Sequence, residues 1–365
     1  MKILIIGDYS SLGLNLYKGL TKKNQEVKLL SNGDSWKQIE GSSLKLLKLK
    51  GSKIKKIFLG FFNRILLNSF FLRNYKNFDI IIVMNQEFIT INLRNFFFLS
   101  YPIWQLKRMK KNENSKIFLL ACGDDYYYYK AKKNLKYFPH ETDICHYFDI
   151  SKRQKINFFN SINGIIPCAY DYAEAYRNSE WKSKVLETIM MPIDLKNIRH
   201  RENVINNKIV IFHGLNREEF KGTKYIKKAM EDIKKKYPDQ VEIIIKGNMP
   251  LNDYKELLSN VNIIIDQCKV YSYGMNALYG MALGKVVLSG NKEECQTEYE
   301  NKDIPVVDIT SDVEDIVNKI EYFIKNPDEI IRIGNDSRKF VEKFHDSLIV
   351  ADKYLEIFKE KYEEK

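Results

Sequence analysis

Short runs of apolar residues recur along this chain between stretches of helical spacing, and the whole series occurs twice. In the first half the runs fall at 2–6, 26–30, 44–49, 79–84, 116–121 and 164–167. In the second half they fall at 208–213, 241–246, 262–266, 285–288 and 305–309. A continuous apolar run, unlike an alternating one, marks a strand covered on both faces. Strands that alternate with helices imply parallel, doubly wound sheets. The chain has 365 residues, more than the roughly 250–300 at which a single core stops growing. The expected architecture is therefore α/β: two Rossmann-like, doubly wound parallel-sheet domains facing across a cleft. The first takes residues 1–195, a polar linker follows at 196–207, and the second takes 208–346. Residues 347–365 read as a charged helix that either crosses back to the first domain or packs only on the second.

Apolar residues make up 44% and charged residues 29% of the chain, a balance that excludes a wholly disordered protein. The charge is uneven. Residues 1–200 hold 33 Lys and Arg against 17 Asp and Glu, whereas residues 201–365 hold 26 against 30. A basic half joined to a mildly acidic half points to an anionic membrane surface, a phosphate-bearing substrate or nucleic acid. No nucleic-acid-binding module is present, so that partner is not expected. Two aromatic and basic stretches, 53–75 and 92–111, suit an interfacial helix on anionic lipid. They suit buried helices of the first domain equally well. The five cysteines, Cys122, Cys145, Cys168, Cys268 and Cys295, form no C-x-x-C pair, which implies neither a disulfide framework nor a zinc site. The apolar run after Met1-Lys2 is too short for the core of a signal peptide, and no stretch reaches the ~18 residues of a spanning helix. The expected location is cytoplasmic, with peripheral contact to the inner face of the cell membrane left open.

The segment from Tyr271 to Gly290, YSYGMNALYGMALGKVVLSG, lies between two expected strands. A turn, Ser272-Tyr273-Gly274, opens a short helix that begins Met275-Asn276. Free backbone N–H groups at such a helix start form an anion site. Gly274 would let a phosphate come close to the backbone. Ala277, Met281 and Ala282 should pack that helix on the sheet.

This segment resembles the donor motif of the retaining GT-B glycosyltransferases, E-G-F-G-x-x-x-x-E-A-M-A-x-G-x-P-V-V. The matching residues are Gly274, Met281, Ala282, Gly284, Val286 and Val287. The motif's two glutamates, one on sugar hydroxyls and one on ribose, fall on Tyr271 and Tyr279 here. Tyrosine keeps one hydroxyl but loses the bidentate acceptor. The resemblance implies that both tyrosines line the donor site. It also implies a loop with an Arg and a Lys-Gly that grip the donor diphosphate. Arg217 and Lys221-Gly222 stand there, and Lys221 is expected to reach into a solvated cleft. The two cations would offset charge on the leaving diphosphate. Gly247 and Met249 occupy the loop that seats the base. In the first domain, Gly7, Ser10, Ser11 and Gly13 form a loop facing the cleft, or simply a turn with Ser10 or Ser11 as helix cap. That loop is not G-x-G-x-x-G, which argues against a dinucleotide fold. Asp124 and Asp125 follow a strand end, where ligands meet parallel sheets. One of them is expected to orient the acceptor, with a turn cap as the alternative.

No metal and no cofactor is called for; the nucleotide sugar is the substrate. The resemblance implies sugar transfer to a glycan or lipid-linked acceptor in bacterial surface polysaccharide assembly. A non-catalytic binding or scaffold subunit and a nucleotide-sugar epimerase are the alternatives.

Overall fold

The structure is a computed structural model. It describes residues 1–31, 52, 55, 58–59, 75–85, 103–139, 152–247, 249 and 251–363. The expected strand at 44–49 and most of the two aromatic-basic stretches lie outside the described residues, as does Cys145.

The first sheet contains β1 (Lys2–Ile6), β2 (Glu26–Leu30), β3 (Ile80–Met84), β4 (Lys116–Ala121) and β5 (Gly164–Pro167). Its order is β2-β1-β3-β4-β5 and every pairing is parallel. Helices α1 (Leu12–Lys22), α2 (Ile103–Met109), α3 (Tyr126–Lys130), α4 (Lys152–Ser161) and α5 (Tyr170–Arg177) accompany it. The central strand β3, Ile-Ile-Ile-Val-Met, is buried along its whole length, whereas the edge strand β2 keeps Glu26 and Lys28 in solvent. Uninterrupted apolar sequence thus sits where both faces are covered, and charge sits at the edge. In α2, from the second aromatic-basic stretch, Leu106 and Met109 are buried in the first domain's core.

The second sheet contains β6 (Ile209–Gly214), β7 (Val241–Lys246), β8 (Ile263–Ile265), β9 (Val286–Ser289) and β10 (Val306–Asp308). It too is wholly parallel, in the order β10-β9-β8-β6-β7. Its helices are α6 (Glu218–Lys221), α7 (Thr223–Lys236), α8 (Leu251–Ser259), α9 (Met275–Ala282), α10 (Glu293–Glu298), α11 (Val313–Lys325) and α12 (Asp328–Phe344). Ala277, Met281 and Ala282 of α9 are fully buried against this sheet.

The last helix, α13 (Ser347–Glu363), packs on the first domain. Phe358 meets Phe118 of β4 with ring centroids 5.2 Å apart, and Asp352 pairs with Lys23. Gly19 of α1 allows the approach, because a Cβ there would lie 2.1 Å from the Ser347 carbonyl oxygen. The chain therefore begins and ends in the same domain. Among the described residues no helix is long and apolar enough to cross a membrane.

Candidate active site

In each sheet the strand order reverses once: between β1 and β3 in the first, and between β6 and β8 in the second. Parallel sheets open a ligand crevice at the carboxyl ends of the strands flanking such a reversal. Topology alone therefore directs attention to Gly7–Gly13 and Asn85 on one side, and to Gly214 and Asp266 on the other.

The first-domain loop is held by its own backbone. Gly7 has φ 105°, and Ser10 and Ser11 have φ 50° and 67°. Ser11, the N-cap residue, does not cap α1 with its side chain. The buried Asp8 does so instead, accepting the Gly13 N–H on Oδ1 at 2.8 Å. Gly13 is needed for packing, since a Cβ there would lie 2.7 Å from the Gly7 carbonyl oxygen. Asn85, just after β3, donates to the carbonyls of Cys122 and Asp124 beyond β4, fixing the Gly123-Asp124 turn.

Asp124 and Asp125 part company. Asp125 is buried, caps α3 by accepting the Tyr128 N–H at 2.8 Å, and accepts the Tyr176 hydroxyl. Burial lifts its carboxyl to about 6. The turn-cap geometry thus describes Asp125. Asp124 instead accepts from the Arg217 guanidinium at 2.6 Å across the domains. Arg217 has φ 58° and lays its guanidinium over the Phe220 ring, 3.9 Å from the centroid.

Lys221 departs from the solvated position expected of it. Its side chain is 11% exposed and its ammonium meets Asp266 at 3.0 Å. Asn276, at the start of α9, donates to the same carboxylate at 2.7 Å and is bonded in turn by the Tyr254 hydroxyl. Gly222 has φ 73°, and a Cβ there would lie 2.5 Å from Cys268 Sγ. The Lys-Gly pair is thus a turn requirement as well as a charge. His213, next to the last residue of β6, is buried between the Ile265 carbonyl and the Thr223 hydroxyl. Burial lowers its pKa to about 4, so the ring is neutral and holds β8 to α7.

The segment 271–279 divides. Gly274 opens α9 in extended backbone with no side-chain cap, and a Cβ there would meet only ordinary contacts. Neither φ nor packing demands glycine at that point. Ser272 is turned away, donating to Asp171 Oδ1 at 3.2 Å across the domains. Tyr273 is buried with its hydroxyl on His345 Nε2 at 2.9 Å, and Met275 is buried in the core. Tyr271 is 4% exposed. Its ring packs on Tyr137 and Tyr170 of the first domain, and its hydroxyl accepts the Lys136 N–H at 2.8 Å. Tyr271 is thus a fastening between the domains. Tyr279 is half-buried, and its hydroxyl comes near Ser11 and Asn15 of the first domain. Gly247 packs on Leu215 and Met249 on the domain core.

The structure thus brings together Asp124, Arg217, Lys221, Asn276 and the Gly274 helix start, and adds Asp266 and Asn85. Asp266 stands at the carboxyl end of an expected strand, and that position was its signal in the sequence.

No family model matches the chain, and no curated protein matches it. Solved structures match it over essentially its whole length. A glycosyltransferase from Rickettsia africae ESF-5 is 15% identical with a TM-score of 0.59, covering 100% of this chain and 98% of its own. Anabaena Alr3699/HepE in complex with UDP-glucose is 12% identical with a TM-score of 0.63, covering 99% and 100%. UDP-GlcNAc 2-epimerase from Neisseria meningitidis bound to UDP-GlcNAc is 13% identical with a TM-score of 0.54, covering 99% and 100%. The fold is GT-B. Identities this low carry the GT-B architecture and leave activity to the site.

Proposed function

We propose that this chain is a glycosyltransferase that moves a sugar from a nucleoside-diphosphate donor to a glycan or lipid-linked acceptor, with retention, in surface polysaccharide assembly. One observation carries the reading: at the carboxyl ends of the second sheet stand two cations and a helix start without a side-chain cap, and one of the cations, Arg217, reaches Asp124 of the first domain. That set suits a diphosphate, whose charge the Gly274 helix start and Arg217 would neutralise. Lys221 would join them by exchanging Asp266 for a phosphoryl oxygen. The diphosphate leaves the sugar carrying extra negative charge, and the same cations then favour departure. Asp124, once Arg217 turns to phosphate, would accept a hydrogen bond from the acceptor hydroxyl.

A second reading, a nucleotide-sugar epimerase, is favoured by the likeness to the Neisseria enzyme. A third, a non-catalytic binding subunit, is favoured by the withdrawal of Tyr271 into the domain interface. Incubating the purified chain with a panel of UDP- and GDP-sugars separates the three. Free nucleotide whose release increases with added acceptor supports the transferase. An isomerised sugar supports the epimerase. Binding without turnover of any donor and acceptor mixture overturns the enzymatic readings.

A further inference from the structure

A second concavity, of about 300 Å³, lies between α8, α9 and the interdomain linker. Tyr254, Ser259, Tyr279 and Lys285 line it, and Arg199 and Arg201 reach it from the linker. Ser259 ends α8 just ahead of β8, and Lys285 immediately precedes β9. The floor therefore lies at the amino ends of the strands, opposite the crevice at their carboxyl ends.

Lys285 is the unusual member. It is 4% exposed. Its ammonium donates to the Ser259 carbonyl at 3.0 Å, which occupies one of its three N–H groups. None of the residues lining the cavity is acidic. Among the described residues no carboxylate pairs with Lys285, and the charge acting on it, Arg201, has the same sign. Buried charges are ordinarily paired, because desolvation is otherwise uncompensated. Here a buried cation and two arginines converge on a hollow large enough for a ligand. The remaining walls are Ile198, Leu258, Leu283 and the two tyrosine rings, with Asn197 as a polar member.

We propose that this cavity is a binding site for a phosphate group, most favourably that of a small phosphate monoester. The phosphoryl oxygens would sit on Lys285, Arg199 and Arg201, and the apolar body between Tyr254 and Tyr279. Burial and Arg201 hold the Lys285 ammonium down to about 8. A bound anion favours the charged form, so affinity falls as pH rises past that value. The site opens at the opposite ends of the strands from the donor crevice, to which Tyr254 connects it through Asn276, and its occupant would tie the linker to the second domain.

Calorimetry and thermal shift on the full chain at pH 7, with inorganic phosphate and with phenyl phosphate, test this. Saturable binding is expected, weakened at least tenfold by Lys285→Met and several-fold by Arg201→Gln. Arg217→Ala, in the crevice, should leave it unchanged. Without ligand, Lys285→Met should melt no lower than the parent, because an uncompensated charge is gone. Arg201→Gln alters an exposed residue and serves as the second probe. Tighter binding of phenyl phosphate assigns the site to an ester, and equal binding assigns it to free phosphate. Absence of saturable binding to either probe overturns the proposal. So does binding that survives Lys285→Met and disappears with Arg217→Ala.

Discussion

Arg217 and Lys221 lie four residues apart yet stand in different electrostatic situations. The Arg217 side chain is 53% exposed, so its pair with Asp124 is worth little to stability. Arg217→Ala should therefore leave the melting temperature nearly unchanged. It should still weaken UDP or GDP binding by about 1.5–3 kcal/mol, the scale of a hydrogen bond to a charged group. Unchanged affinity in calorimetry would remove Arg217 from the donor site. Lys221 differs because it and Asp266 are 11% and 2% exposed. Breaking a buried pair from one side costs about 3–5 kcal/mol, since the other charge is stranded. Lys221→Met should thus lower stability as well as nucleotide affinity, and adding Asp266→Asn should restore much of the stability. If urea denaturation finds the single variant as stable as the parent, the pair is not a closed one.

At the scale of elements, the strands were legible because each is a continuous apolar run bounded by polar residues. Every described strand falls within about one residue of an expected run, as Ile209–Gly214 does against 208–213. Helix α9 was legible from Gly274 and the apolar Ala277, Met281 and Ala282. The fate of Tyr271 was not, because its partners Lys136, Tyr137 and Tyr170 lie more than 100 residues away. Nor does sequence distinguish Asp124 from Asp125, since a cap and a cleft carboxylate differ by a single backbone rotation. The contact of α1 with α13 has a sharper consequence. In an isolated helix Gly→Ala gains about 1 kcal/mol. At Gly19, however, the new Cβ would lie 2.1 Å from the backbone oxygen of Ser347. Overpacking typically costs 1–3 kcal/mol, and rigid backbone cannot yield as a side-chain tip can. Gly19→Ala should therefore destabilise, and a raised melting temperature would show that α13 does not sit there.

For the whole molecule, the contacts across the cleft set how stability responds to pH. Arg177 grips Glu298 with two 2.7 Å hydrogen bonds, and Ser272 donates to Asp171. Asp171 is buried, and burial lifts its carboxyl to about 7. The folded form therefore holds its proton where the unfolded chain, with a pKa near 3.8, has released it. Between those values the folded state binds more protons, so this group makes stability fall as pH rises from about 4 to about 7. Above that the effect is constant and unfavourable. His213 and His345 act in the opposite sense over an overlapping window. Burial depresses both to about 4, so each loses stability as pH falls from 6.5. The parent profile is thus a sum of opposing slopes, and only a difference isolates Asp171. Asp171→Asn keeps the size and an acceptor for Ser272, and removes the charge. Its urea midpoint should exceed the parent's at pH 8, and the excess should shrink steadily as pH falls to 5. A difference that stays constant across this range would mean that Asp171 titrates normally, and that the ionised carboxylate is accommodated where the two domains meet.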